Sequence, residues 1–573
     1  MMDRIPPRLR PWAAVAAALA AWSAVCAVIA PLRASWWDGF VILAAFGALV
    51  PGVLALRAKR LGEWLAPATA EALGATRAWI AAILLANVLW EDLASSAFLP
   101  RGMLRRPMWL IDLLLSLPIG FDRFLASHGA LLVFETAVAV LLALAMVGLF
   151  TRWTVPAAAL GFLVFASILR SYAWSWHMGL VPLYALLLLS FTPCGDAFSL
   201  DRRLRARRGL SVAPARVPER RYAMGRFVVL AAVAVPYTLA GLSKVRNTGP
   251  LWWTGEHMKQ MLVATVVEPM HFHFEVTFAL VKGPTWVFGA MGLAALLGEV
   301  LFALVLVDRR ARLVFPAVMA GMHVGILLMQ NILFPDLIAI QAIFYDWAPL
   351  RARAVAAWAR MRDSLRSMGR VPAPTPALAP AFAASSTAMA METAAARGTV
   401  SAAGGGVATG DENRPALDRS TLRQAFVARA FLVVAFACWA SRTEKFPLTG
   451  MQMFSRMSPP EPVEYVVPLA RYADGGVEPA RFERWIGAMA DTRYRWLLRD
   501  WGRRPERLPL LREFMDACAA RANEGAAPGR RIVGFDLEVR RWDFRAHPAD
   551  PARGELLATL HHDVRPSPAL VSR

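Results

Sequence analysis

Tyr237-Thr-Leu-Ala-Gly-Leu-Ser-Lys-Val-Arg246, followed by Trp252-Trp-Thr-Gly255, is the stretch on which the reading of this chain turns. It starts inside an apolar run, 227–242, and reaches a lysine, Lys244, where that run ends. A lysine in that place has two fates. Its ammonium can snorkel along the hydrocarbon to the interface, or a dry pocket can hold the amine and strip its proton, leaving a base. Both fates presuppose a membrane, so the rest of the chain has to supply one.

The bulk composition does. Of 573 residues, 57% are hydrophobic, against about 45–50% in soluble domains. Mean hydropathy is +0.42. The excess is gathered in runs long enough to span a bilayer, at roughly 17–25 residues each. These are 12–32, 39–56, 78–98, 128–150, 154–171, 176–193, 225–243, 285–307, 312–333, 335–350 and 425–442. The expected fold is therefore mainly α, a polytopic membrane bundle of about eleven spanning helices. The first run follows arginines and is immediately succeeded by a second, which reads as a retained anchor rather than a cleaved signal.

The net charge of +21 and a pI near 10.9 would suggest nucleic acid on a soluble protein. Here the cations cluster between apolar runs, so membrane lipid is the expected partner and nucleic acid is not. With the N-terminus inside, the second, sixth, eighth and tenth loops should be cytoplasmic. They carry Arg57, Lys59 and Arg60; Arg202, Arg203, Arg205, Arg207 and Arg208; Arg309, Arg310 and Arg312; and Arg351, Arg353, Arg360 and Arg362. The alternation fits the positive-inside rule. Loop 99–127 departs from it, with Arg101, Arg105 and Arg106, and its stretch 109–117 reads as an interfacial helix.

The pattern divides the chain into 1–73, a two-helix segment; 74–350, the main membrane domain; 351–424, a basic and low-complexity linker; 425–442, a last spanning helix; and 443–573, a periplasmic tail. Linker residues 371–420 are Ala, Pro, Gly, Ser and Thr with few large apolar side chains, a composition that cannot offset chain entropy. In the tail, 463–469, 532–539 and 555–561 read as strands; Phe535, Leu537 and Val539 alternate with Asp536, Glu538 and Arg540. Residues 479–524 read as helical, so the tail is a small α+β domain. Four cysteines offer no disulfide framework and no metal-ligand spacing. The predicted location is a bacterial inner membrane, with the N-terminus cytoplasmic and the tail periplasmic.

Three ionisable residues stand out because hydrocarbon makes them costly. His177 follows Tyr172-Ala-Trp-Ser-Trp176 at the outer start of the sixth run, and Lys244 ends the seventh on the same side. His323 lies midway along the ninth, in Val318-Met-Ala-Gly-Met-His-Val-Gly-Ile326. One outward pocket would join them if the three helices are neighbours. Each also has a plainer reading: a helix–helix hydrogen bond for His323, an interfacial position for His177, snorkelling for Lys244. Trp174, Trp176, Trp252 and Trp253 would stack on a flat ring, or form the aromatic belt. Glu299 serves as a structural contact or a proton relay; Glu91 and Asp92 fall near the same outer cavity; His271 and His273 are two metal ligands without a third. A desolvated lysine can take a proton from a phenol-like acid such as a reduced quinone, which a bilayer delivers directly.

Ala240-Gly-Leu-Ser-Lys244 followed by Trp252-x-x-Gly255 resembles the Ala-Gly-x-x-Lys then Trp-x-x-Gly segment of vitamin K-dependent gamma-carboxylase and its bacterial relatives, the HTTM-domain proteins. Trp174-Ser-Trp-His177 with Tyr184, the helix bearing Met322-His323, and Cys194-Gly-Asp-Ala-Phe-Ser-Leu-Asp201 are similar to further segments of that family. The likeness covers 74–350. It implies Lys244 as base on a reduced quinone of the vitamin K or menaquinone type. His177 would assist carbanion formation, and His323, Trp174, Trp176, Tyr237, Trp252 and Gly255 would line the cofactor site. The implied outcome is carboxylation or oxygenation. Two features differ: the carboxylase has Lys-Lys where this chain has Ser243-Lys244, and a large luminal β-rich region where this chain has a linker, a further span and a small tail. A periplasmic protein or peptide is the expected partner of the tail. The competing expectation is a non-catalytic membrane anchor for that tail; transport lacks the paired broken helices it would need.

Overall fold

A computed structural model describes residues 41–47, 65–104, 109–172, 178–266, 272, 274–347, 356–362, 418–452, 455, 462–486, 497–498, 504–543, 546 and 554–565. Among these, seven helices are long and apolar enough to cross a membrane: Ala70–Phe98, His128–Val147, Thr151–Tyr172, Arg220–Trp253, Thr285–Leu306, Arg309–Gln330 and Arg419–Ala440. Run 12–32 lies outside the described residues, as does most of 39–56. Two other expected spans are shorter than a bilayer needs. Run 176–193 yields the ten-residue helix Leu180–Leu189, opened by Gly179 in the left-handed region at φ 74. Run 335–350 yields Pro335–Ala339, continued by a 3-10 segment, Ile340–Phe344. The reason is packing: Leu180, Leu183, Leu186 and Leu189 are buried among neighbouring helices, and an apolar run does not by itself separate a buried helix from a lipid-facing one.

The bundle helices are labelled α1 (Ala70–Trp90), α2 (His128–Val147), α3 (Thr151–Tyr172), α4 (Leu180–Leu189), α5 (Arg220–Thr248), α6 (Gly255–Val266), α7 (Thr285–Val300), α8 (Arg309–Gln330), α9 (Pro335–Ala339) and α10 (Arg419–Ala440). α5 is the central one and packs against α4, α7 and α10. The outer helices turn large apolar side chains outward, such as Val133 on α2, Trp286 on α7, Leu313 on α8 and Phe426 on α10. Apolar surface on that scale is not left to water by soluble proteins, which is consistent with a chain that spans a membrane.

One end of the bundle is tied by a buried arginine. Arg77 of α1 donates to the carbonyls of Cys194 at 2.9 Å, Phe198 at 2.6 Å and Met146 at 3.4 Å. Asp201 accepts from the Phe150 and Thr151 amides at 2.7 and 2.8 Å, capping the start of α3. Tyr222 of α5 donates to Asp196 at 2.9 Å. The turn 194–201 thus satisfies helix-end groups that would otherwise be orphaned in a dry interior.

The tail is α+β. Strands β1 (Glu444–Lys445) and β2 (Leu448–Thr449) form a hairpin, and β3 (Val463–Tyr472), β4 (Val477–Pro479), β5 (Ile532–Trp542) and β6 (Glu555–Asp563) form an antiparallel sheet in the order β4-β3-β5-β6. The three expected strands are present and each is longer than its sequence pattern. Phe535 on β5 stacks against Phe482 and helix α11 (Leu508–Ala522) closes over it through Phe514. The sheet docks on the bundle side of the chain: Val463, Tyr465 and Trp542 share one apolar core with Val263 of α6 and Val281. The hairpin goes deeper. Phe446 is 1% exposed, with the Arg170 guanidinium 5.6 Å over its ring, and the Tyr184 hydroxyl donates to the Pro447 carbonyl. By contacts, Met1–Tyr345 and Asp418–Arg573 form one unit and Asp346–Leu417 another. In the second, Arg362 lies 5.5 Å over the Trp358 ring.

Candidate functional site

The helix holding Lys244 does not end where the apolar run ends; α5 continues to Thr248. The lysine is 5% exposed and its ammonium does not snorkel out. Nζ instead points at Glu299, 2.8 and 2.6 Å from the two carboxylate oxygens. Glu299 is 6% exposed, so this is a buried pair. Two features of sequence let it form. Gly241 lies one turn before Lys244 on the same face, where a Cβ would stand 2.8 Å from the Val300 amide nitrogen and 2.9 Å from Glu299 Cβ. Its missing side chain lets α5 and α7 approach until the lysine reaches the glutamate. Past Glu299, α7 tightens into a 3-10 segment, and the Ala303 amide is taken by Thr238 Oγ1 at 3.0 Å.

Around the pair the site is aromatic. The Trp252 ring lies 5.3 Å from Nζ, in cation–π range, and is 2% exposed. Gly255 is the first residue of α6; a Cβ there would meet the Thr285 carbonyl oxygen at 2.0 Å, so only glycine lets α6 start against α7. Tyr237, two turns before Lys244, sits between the Phe302 ring at 4.8 Å and the His323 ring at 5.8 Å. His323 is 3% exposed, and its Nδ1 lies 2.7 Å from the Met319 carbonyl. A carbonyl only accepts, so Nδ1 carries the proton, and in the neutral ring Nε2 holds the lone pair. Tyr237 and Lys244 lie seven residues apart on α5, about two turns, and so on one face of that helix. Lys244, Tyr237, His323 and Trp252 therefore belong to one buried group. His177, Trp174 and Trp176 lie outside the described residues, as do His271 and His273.

Some polar members carry no mark in a scan for costly charges. Gln341 donates to the Tyr237 hydroxyl at 2.9 Å. Asp336, 1% exposed, accepts from the Gly179 amide at 2.8 Å, immediately beyond the His177 segment, and its other oxygen has no hydrogen-bond partner among the described residues. The acid in Phe334-Pro-Asp336, inside an apolar run, was a usable signal. His257, in the first turn of α6, is 4% exposed and packs against Trp252 with ring centroids 6.3 Å apart. Burial pushes its imidazole below the ordinary pKa. Asp92, by contrast, has a structural role, accepting from the Ser95 amide at 2.9 Å.

The tail closes over this end of α5. Ser243 donates to the Gly450 carbonyl at 3.0 Å, Arg246 to the Trp439 carbonyl at 2.6 Å, Asn247 to Ser455 Oγ at 2.7 Å and Thr248 to the Ser455 carbonyl at 2.7 Å. Ser243 is thus an anchor for the tail. Chemically, the arrangement is an amine and a carboxylate in hydrogen-bonding contact in a buried, aromatic-walled interior, with a phenol and an imidazole nearby. No family model matches the chain, and no curated protein or solved structure matches it either.

Proposed function

We propose that this chain is an integral-membrane enzyme that takes a proton from an acidic hydroxyl on a lipid-soluble ring compound, with Lys244 as the base. The observation that carries this reading is the buried Lys244–Glu299 pair, set in one group with Tyr237, His323 and Trp252. A buried ion pair is weak evidence for stability, because desolvation offsets most of its attraction. A pair that adds little stability for its desolvation cost is therefore better accounted for by chemistry. The pair is net neutral whether its proton rests on nitrogen or on oxygen. With the proton on Glu299, Lys244 has a lone pair; it takes the hydroxyl proton, the bonding electrons stay on the substrate oxygen, and the new ammonium faces the new oxyanion. Trp252 and Tyr237 hold a flat ring, and the unpartnered Asp336 oxygen suits a second hydroxyl.

A reduced quinone of the menaquinone or vitamin K type fits these residues, as the likeness to gamma-carboxylase implies. When bound, it supplies the acidic hydroxyl and, with oxygen, the oxidising equivalents for carboxylation or oxygenation. The basic loops support a cytoplasmic N-terminus and a periplasmic tail in a bacterial inner membrane. The test is purified protein with reduced menaquinone and labelled bicarbonate, following epoxide formation and label uptake. Loss of both in Lys244→Ala is expected; equal activity in that variant removes the base role. In the competing reading the bundle is an inert anchor for the tail, and then no turnover appears in any variant.

A further inference from the structure

We propose that His257 is a ligand-binding residue of the Lys244 site, kept without a protein partner so that a hydrogen-bonding ring substituent can take it. The inference rests on the functional reading above and adds a residue to it.

His257 is 4% exposed, yet neither ring nitrogen has a hydrogen-bond partner among the described residues. Buried polar groups in folded proteins are almost always paired, because an unmade bond forfeits the hydration it replaced. An imidazole is worse placed than most, since both nitrogens need a partner. Its position gives the reason. The ring stands at 62° to Trp252, whose own ring lies 5.3 Å from Lys244 Nζ, so one tryptophan touches both the base and the orphaned imidazole. The backbone around it is fixed. α6 begins at Gly255, pressed on Thr285, and Met258, the next residue, packs into the core of Trp252, Leu262, Phe288 and Leu296. A neutral imidazole offers one donor and one acceptor, which matches a ring carbonyl or hydroxyl. The chemical class is a quinone or hydroquinone head group.

The experiment uses full-length protein in detergent without oxygen, and follows melting with and without reduced menaquinone. His257→Leu removes the orphaned nitrogens at similar volume. The expected result is a melting temperature without ligand raised by roughly 2 °C or more, together with an affinity for reduced menaquinone weakened about tenfold. His257→Gln, which keeps a donor and an acceptor, should recover part of that affinity. A lower melting point in His257→Leu with unchanged affinity overturns the inference, as does failure of both variants to fold. If the wild type itself shows no ligand-induced shift, the quinone reading fails, whereas the ligand-free melting comparison still decides whether His257 is held open.

Discussion

At the scale of single residues, the decisive contact is between Lys244 and Glu299, 55 positions apart and both buried. Removing one partner of such a pair leaves a charge with no water and no counterion. Glu299→Gln should therefore cost about 3–5 kcal/mol of stability, whereas the double change Lys244→Met, Glu299→Leu should cost far less or stabilise. Denaturation of the single and double variants gives the coupling as a double-mutant cycle. Gly241→Ala should cost about 1–3 kcal/mol by overpacking the α5–α7 contact and should lower activity in step, since it moves the base away from its partner. His257 adds a pH dependence. Its pKa is lowered in the folded protein from an ordinary value of 6.5, so the unfolded chain binds the extra proton first. Wild-type stability contributed by the neutral ring is complete above 6.5 and falls as the pH drops below it, while His257→Leu lacks that loss. Melting the two proteins across pH 5 to 8 measures the difference.

At the scale of elements, α5 is held from two directions. α7 supplies Glu299 on one side; the stretch from α10 through the hairpin to Ser455 supplies carbonyls to Ser243, Arg246 and Thr248 on the other. The tail thus packs against the end of α5 that carries Lys244. Ser243 is 2% exposed, so a Ser243→Cys variant should resist a water-soluble maleimide in the full chain and react after deletion of 443–573. Equal labelling in both forms would show that the hairpin does not seal this end. The elements were unevenly legible beforehand. Strand β5 was marked by period-two alternation because one of its faces is buried, whereas β3 and β6 read only as extended stretches. The helices Leu180–Leu189 and Pro335–Ala339 read as spans because a helix buried in a bundle is as apolar as one in lipid.

For the whole molecule, the outward apolar belt and the basic loops together make a directional prediction. A cysteine at Gly475, in the turn after β3, should be labelled from outside intact cells, and a cysteine at Arg203 only after permeabilisation. The reverse pattern would invert the topology. Sequence alone determined that this chain is mainly helical, with helices long and apolar enough to cross a membrane and a small α+β tail, because hydropathy and charge are summed along the chain and need no partner. It also marked Lys244, His323 and Glu299, since ionisable groups within or at the rim of apolar runs are conspicuous. Tertiary structure alone decided that Lys244 pairs with Glu299, that Gly241 makes room for it, that Gln341 donates to Tyr237 and that His257 packs on Trp252. Those facts depend on which helices pack together, and one helix's periodicity carries no information about the neighbour it meets.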